Sequence, residues 1–186
     1  MVLEDFDPYS LLLSTRANHS CADNFRASMR ATAASVSLLT SRGDDGRYHG
    51  MAVTSWGSLS KDPPSMLVAV NRTASVHAVI SARRHYCLNL MSEEHFSILE
   101  RFSRSDMRDH RFTLEDWEEG PQKLPILRGA LASQICTVQG TFDFGTHTIF
   151  VGRVDDVILP GASEQTHTPL VWMNGSRASL TPRMDA

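Results

Sequence analysis

The stretch from Gly50 to Ser75 reads GMAVTSWGSLSKDPPSMLVAVNRTAS, and it leaves the chain few folds to choose from. Met51, Val53 and Leu59 share one parity, while Thr54, Ser58 and Ser60 share the other. Successive side chains of a strand point to opposite faces, so the pattern predicts an apolar face backed by a line of hydroxyls. Gly57 is the candidate bulge of that strand. Pro63-Pro64 stops it, because proline cannot donate to a ladder. Met66 to Val70 is then apolar on both faces, as a central strand is. Thr73 is placed to cap a helix in which Val76, Val79 and Ile80 fall at i, i+3 and i+4.

Strands dominate the rest of the chain. Residues 1–24 lack sustained periodicity and read as an arm with one helical turn around Tyr9 to Ser14, which sets the folded domain at residues 25–186. Phe25 to Ala33 is helix-compatible, with Phe25, Met29 and Thr32 on one side. Val36 to Thr40 is a strand closed by the turn Arg42-Gly43-Asp44-Asp45-Gly46, which leads into the strand beginning near Tyr48. Tyr86 to Met91 is the next strand, and Ser92-Glu93-Glu94 opens a helix with an inner stripe of Phe96, Leu99 and Phe102. A long charged excursion runs from Ser103 to Pro125, and the final strands are Leu131–Val138, Thr148–Ile158 and Leu170–Met173. About seven strands and two or three short helices, with no strand-helix alternation, predict a mainly β fold: a closed or partly closed antiparallel barrel.

The totals exclude several function classes. At 186 residues the chain suits one domain, and a net charge of −3 argues against holding nucleic acid by phosphate neutralisation. The only dense basic stretch, Arg101 to Arg111, is broken by Asp106 and Asp109. Cys21, Cys87 and Cys136 form no CxxC pair; the last two read as small buried hydrophobes, and a reducing, cytoplasmic setting is expected. Leu11 to Leu13 follows Glu4, Asp5 and Asp7 and does not read as a secretory leader, and no apolar run reaches membrane-spanning length. No metal-ligand spacing, Rossmann or P-loop glycine pattern, or GxSxG elbow occurs. Glu115-Asp116 and Glu118-Glu119 read as a solvated loop.

Three groups carry chemistry. The hydroxyls of Thr54, Ser58 and Ser60, with Ser55 beside them, either donate to a phosphate or polar ring edge or simply face solvent. Asn71, Arg72, Thr73 and Ser75 join a strand end to a helix start, a layout that holds phosphate or merely caps the helix. His147, in Gly145-Thr146-His147-Thr148, sits at a hairpin end, either against a ring or as a structural donor.

In order along the chain, these segments resemble the short-chain flavin reductases, the reductase components of two-component flavin-dependent monooxygenases. The likeness is greatest to the reductase component of 4-hydroxyphenylacetate monooxygenase and the flavin reductase of pyrimidine catabolism. The matching blocks are FRASMRATAASVSLLT, GMAVTSWGSLSKDPPSMLVAVNRTASVH, YCLNLMSEEH, DHRF, WEEGPQKLPILRGALAS, GTHTIFVGRV and PLVWMNG. The resemblance implies a Greek-key split β-barrel that binds FMN or FAD, takes NADH or NADPH as co-substrate, forms a homodimer and supplies a partner monooxygenase. It implies that Thr54, Ser55 and Trp56 line the flavin ring. Ser58, Ser60, Asn71, Arg72 and Ser75 fall near its ribityl chain and phosphate, Ser103 and Arg111 near its outer part, and His147 beside the nicotinamide. Relatives carry an aromatic block after the last strand, where this chain has Gly175-Ser176-Arg177-Ala178-Ser179. That departure leaves open a flavin-binding protein or electron carrier without turnover.

Overall fold

The computed structural model describes residues 20–161 and 168–180. The elements begin with α1 (Cys21–Arg30), β1 (Ala34–Ser35), β2 (Ser37–Arg42), β3 (Tyr48–Val53), β4 (Trp56–Lys61), β5 (Pro64–Asn71), α2 (Ser75–Arg83) and β6 (His85–Leu90). They continue with α3 (Phe96–Ser103), β7 (Trp117–Glu119), β8 (Pro125–Leu127), β9 (Ala132–Phe144), β10 (His147–Ile158), β11 (Val171–Met173) and β12 (Ser176–Ala178). Seven strands form one sheet in the order β3-β2-β6-β9-β10-β5-β4, with every neighbouring pair antiparallel.

That order makes the barrel. β3 and β4 are consecutive in the chain, with only Thr54 and Ser55 between them, yet they occupy opposite edges of the sheet. A sheet whose edges are joined by two residues must curl until those edges approach, and strand twist supplies the curl. Bulges in the long β9–β10 pair, between Val151 and Gly152 and between Val154 and Asp156, add to it. The edges meet without a ladder between them, so the barrel is split, as the resemblance implied.

Two apolar clusters hold this shape. Inside the barrel Leu39, Val53, Val68, Val70, Ile80, Tyr86, Val138 and Phe150 pack together. Outside it, α3 lays Ile98, Leu99 and Phe102 over Val36, Leu38 and Leu170. β2 is therefore buried on both faces: Thr40 donates to the Pro125 carbonyl at 2.8 Å and Ser41 to that of His85 at 2.8 Å, while the buried Ser37 hydroxyl has no hydrogen-bond partner among the described residues.

Several local expectations change. The strand expected from Met51 to Ser60 breaks at Thr54–Ser55, where the chain crosses from one edge to the other, so Thr54 does not share a hydroxyl face with Ser58 and Ser60. The bulge falls at Leu59 instead of Gly57, because the β4–β5 register shifts between Ser58 and Ser60, and Leu59 is 51% exposed. The residue capping α2 is Ala74, not Thr73, since the Asn71 side-chain oxygen takes the amide and hydroxyl of Thr73 at 2.9 Å each. α1 starts at Cys21 through a capping box between Ser20 and Asp23, so a boundary at residue 24 falls inside a helix. The turn expected around Tyr9 to Ser14 lies outside the described residues. The excursion after Ser103 carries the two-stranded β7–β8 sheet. Within it Asp116 is bound by Arg101 at 2.6 Å and Thr113 at 2.5 Å, so that carboxylate is not a loosely solvated one.

Candidate active site

Trp172 of β11 is half-buried where three cavities adjoin. The central one, about 290 Å³, lies between the end of β3 and α3, with Thr54, Val53, Leu99 and Ser103 in its walls. A second, about 410 Å³, opens from Thr54 and Ser55 toward Arg26, Met29 and Arg30 of α1 and the β11–β12 turn. The third, about 420 Å³, follows α3 on the far side of Trp172. The cleft lies at the split because Thr54 and Ser55 are the residues that bridge the two sheet edges there. α1 is held against it by a reciprocal pair, Asn174 N–H to the Arg30 carbonyl at 2.7 Å and the Arg30 guanidinium to the Asn174 carbonyl at 3.1 Å.

A fourth cavity, about 250 Å³, sits at the other end of β3, with three arginines and the carboxylate of Asp109 in its lining. Ser75 at the start of α2 faces Arg111, Arg108, Arg47 and His49 across Tyr48 and Gly50. Arg111 donates from Nε to the Arg101 carbonyl and from Nη2 to those of Phe102 and Arg104, each at 3.1 Å, which caps α3. Burial first, and the charge of Arg108 second, draw its pKa below the usual guanidinium value. Its Nη1 group makes no hydrogen bond among the described residues. Burial, and the carboxylate of Glu119 after it, push the Tyr48 phenol up.

The structure therefore brings Thr54, Ser55 and Ser103 together around Trp172, and Ser75 together with Arg111. It places the other expected residues in supporting positions. Ser55 donates to the Ala69 carbonyl at 2.8 Å, and the Trp56 indole to that of Ser35 at 3.3 Å, so both also pin the seam. Asn71 shapes the turn into α2. Arg72 clamps the β9–β10 hairpin, its guanidinium meeting the Gly145 carbonyl at 2.6 Å and its amide that of Thr146 at 3.0 Å. His147 is exposed on that hairpin, in register with Asn71 on one side and Phe144 on the other, with Thr146 Oγ1 at 2.9 Å from its Nδ1. Ser58 and Ser60 stand on the exposed edge strand, and Ser60 closes the turn at Asp62. Trp172, Leu99 and Arg30 escaped the motif reading, although a tryptophan inside PLVWMNG was a visible signal.

A cleft at the seam of a split barrel, with hydroxyls at its lip, an aromatic wall and a basic cavity along the same strand, suits a flat ring bearing a phosphate. The family model for the flavin reductase like domain matches residues 29–181. The chain belongs to that family. Among curated relatives, it is 30% identical over 171 residues to the reductase component of the FADH(2)-dependent resorcinol hydroxylase of Rhizobium sp. strain MTP-10005, covering 91% of this chain and 93% of the relative. It is 32% identical over 135 residues to the 4-hydroxyphenylacetate 3-monooxygenase reductase component of Pseudomonas aeruginosa, covering 72% and 79%. Among solved structures, the styrene monooxygenase flavin reductase of Pseudomonas putida S12 superposes with a TM-score of 0.77 at 26% identity, covering 87% of this chain and 99% of that one. Among the described residues no helix is long and apolar enough to cross a membrane, and no three histidines, cysteines or carboxylates gather to hold a metal.

Proposed function

We propose that this flavin reductase family member oxidises NADH or NADPH, reduces FMN or FAD, and releases the reduced flavin to a partner monooxygenase. The observation that carries this reading is the match to monooxygenase reductase components along almost the whole chain, on a fold whose seam forms a ligand-sized cleft. The residues present fit a flavin. Thr54 and Ser103 offer hydroxyls to the polar edge of a ring, while Val53, Leu99 and Trp172 offer apolar and aromatic surface to its body. Ser75, Arg108 and the free Nη1 of Arg111 suit a phosphate.

When bound, the flavin accepts a hydride equivalent from the nicotinamide, and the redox chemistry is its own. The chain supplies the rest. Thr54 and Ser55, fixed by the seam, orient the ring, and the walls around Trp172 exclude water from it. His147 is exposed on the hairpin, and on this reading its imidazole holds the nicotinamide amide. Arg72 locks the hairpin backbone, which sets where that imidazole stands. No side chain need act as a nucleophile, and the seam residues that would hold flavin and nicotinamide against each other would provide most of the advantage.

The same reading includes a homodimer and a reducing compartment. Phe142 and Phe144, 62% and 77% exposed, stand beside His147 on the hairpin, where a second copy would cover them. Cys21, Cys87 and Cys136 are all free thiols, which suits the cytoplasm.

Steady-state oxidation of NADH and of NADPH, each with FMN, FAD and riboflavin, tests the function. Flavin-dependent oxidation that needs no added partner is expected. A protein that holds flavin through purification but oxidises neither nucleotide is instead an electron carrier or flavin-binding module, and the reductase reading fails.

A further inference from the structure

A polar chain runs from α2 to the β9–β10 hairpin. His77 lies on α2, which is fastened in the barrel core through Val76 and Ile80. Its Nε2 stands 2.8 Å from the Thr148 hydroxyl of β10, and that hydroxyl donates to a carboxylate oxygen of Asp143 on β9 at 2.5 Å. Thr148 is buried and has one proton to give, so with Asp143 accepting it the imidazole must donate from Nε2. The Phe150 ring meets the imidazole edge-on, with centroids 5.4 Å apart, and holds its plane.

Thr148 and Asp143 face each other one rung below His147 and Phe144, and Gly145 and Thr146 close the hairpin beyond that last rung. The end of a hairpin frays most readily, and this chain ties it to the core at the rung next to His147. Arg72, just past the end of β5, holds the turn itself. We infer that His77, Thr148 and Asp143 form one bridge that positions the His147 imidazole, with α2 as its fixed end. All three are positioning residues, because none lines the cleft or the cavities beside it. The inference rests on the reductase reading only for what the placed imidazole does. A reacting group misplaced by about 1 Å can lose roughly a hundredfold in rate, so a slack hairpin end is costly.

Thr148→Val keeps the branched shape and removes the hydroxyl, Thr148→Ser keeps the hydroxyl, and His77→Ala removes the other end of the bridge. Flavin reduction by NADH is followed by stopped flow in each, alone and combined with His147→Ala, with FMN dissociation constants alongside. Thr148→Val and His77→Ala are each expected to slow reduction about tenfold, with Thr148→Ser within about twofold of wild type and FMN affinity unchanged. In the His147→Ala background Thr148→Val is expected to slow reduction no further, because two changes that act through one group do not multiply. Full-rate reduction by either Thr148→Val or His77→Ala, or an equal loss from Thr148→Ser, overturns the inference. So does a loss that multiplies with that of His147→Ala, which is what a purely stabilising role gives. Wild-type rates in His147→Ala overturn it too, while NADH oxidation keeps the reductase reading standing. Absence of oxidation with every flavin strikes the reductase reading, and the bridge is then judged by the His147 ring resonances of histidine-labelled protein. They should move toward those of free histidine in His77→Ala, and unmoved resonances overturn the inference.

Discussion

At the scale of single residues, the two histidine and carboxylate positions with the clearest surroundings make opposite demands. His147 is exposed and bonded only to its neighbour Thr146, so it contributes little to stability. His147→Ala should lower NADH turnover by about tenfold or more while leaving FMN affinity and melting temperature near wild type. Stopped-flow reduction with NADH checks it, and wild-type rates would remove the imidazole from the site. Asp116 behaves differently. Burial raises its pKa, but hydrogen bonds from Thr113 and Arg101 outweigh that and hold the carboxyl below the usual carboxylate range. A carboxylate depressed in the folded state stabilises fully above the unfolded value, and that stability disappears as pH falls through the folded one. Asp116→Asn should therefore cost about 1–2 kcal/mol near neutrality. The gap between variant and wild type should narrow as pH falls beneath the ordinary carboxyl range and through the lowered folded value, as urea titrations across pH would record. Cys87 and Cys136 are buried, and burial pushes the Cys136 thiol up to about 12, so their reading as small apolar groups holds.

At the scale of elements, most of what formed was legible from periodicity and punctuation. β2, β5, β6 and α3 fall where alternation, the Pro-Pro pair and Ser92-Glu93-Glu94 placed them, because those signals act over a few residues. The failures share a cause. Thr73 lost its capping role to an Asn71 side chain that took its donors first. Leu59 left the core face when its strand bulged, and parity alone cannot register a bulge. Asn89 was also invisible as a structural residue. Buried in β6, it donates to the Leu38 carbonyl and accepts from the Leu127 amide at 2.9 Å and Ser133 at 2.8 Å, joining the barrel to β8. β10 shows how tightly paired elements constrain one position. A Cβ on Gly152 would approach the Tyr86 hydroxyl to 2.3 Å and its ring carbon to 2.8 Å, and that ring is fully buried. Gly152→Ala should cost about 1–3 kcal/mol of unfolding free energy by chemical denaturation. An unchanged midpoint would mean that the ring has room to turn aside.

At the scale of the whole molecule, the β9–β10 hairpin carries Phe142, Phe144 and His147 to an open surface, and the proposed homodimer makes that surface an interface. Replacing Phe142 and Phe144 by glutamate should raise the dimer dissociation constant by about a hundredfold or more, with circular dichroism unchanged. Sedimentation velocity reads this directly, and an undisturbed dimer would place the contact elsewhere. The sequence by itself determined that the chain is mainly β, where most of its strands lie, and which short blocks align with flavin reductases, though not the break at Thr54–Ser55. All of that is written in local pattern, in side-chain parity and in residues that cannot pair. Only the tertiary structure decided that Thr54, Ser103 and Trp172 share a cleft, that Arg111 caps a helix as well as facing Ser75, and that Ser58 stands apart from Thr54. Those relations depend on how the sheet closes and on what packs over each face. A strand's pattern says which side turns inward but not which distant segment will meet it.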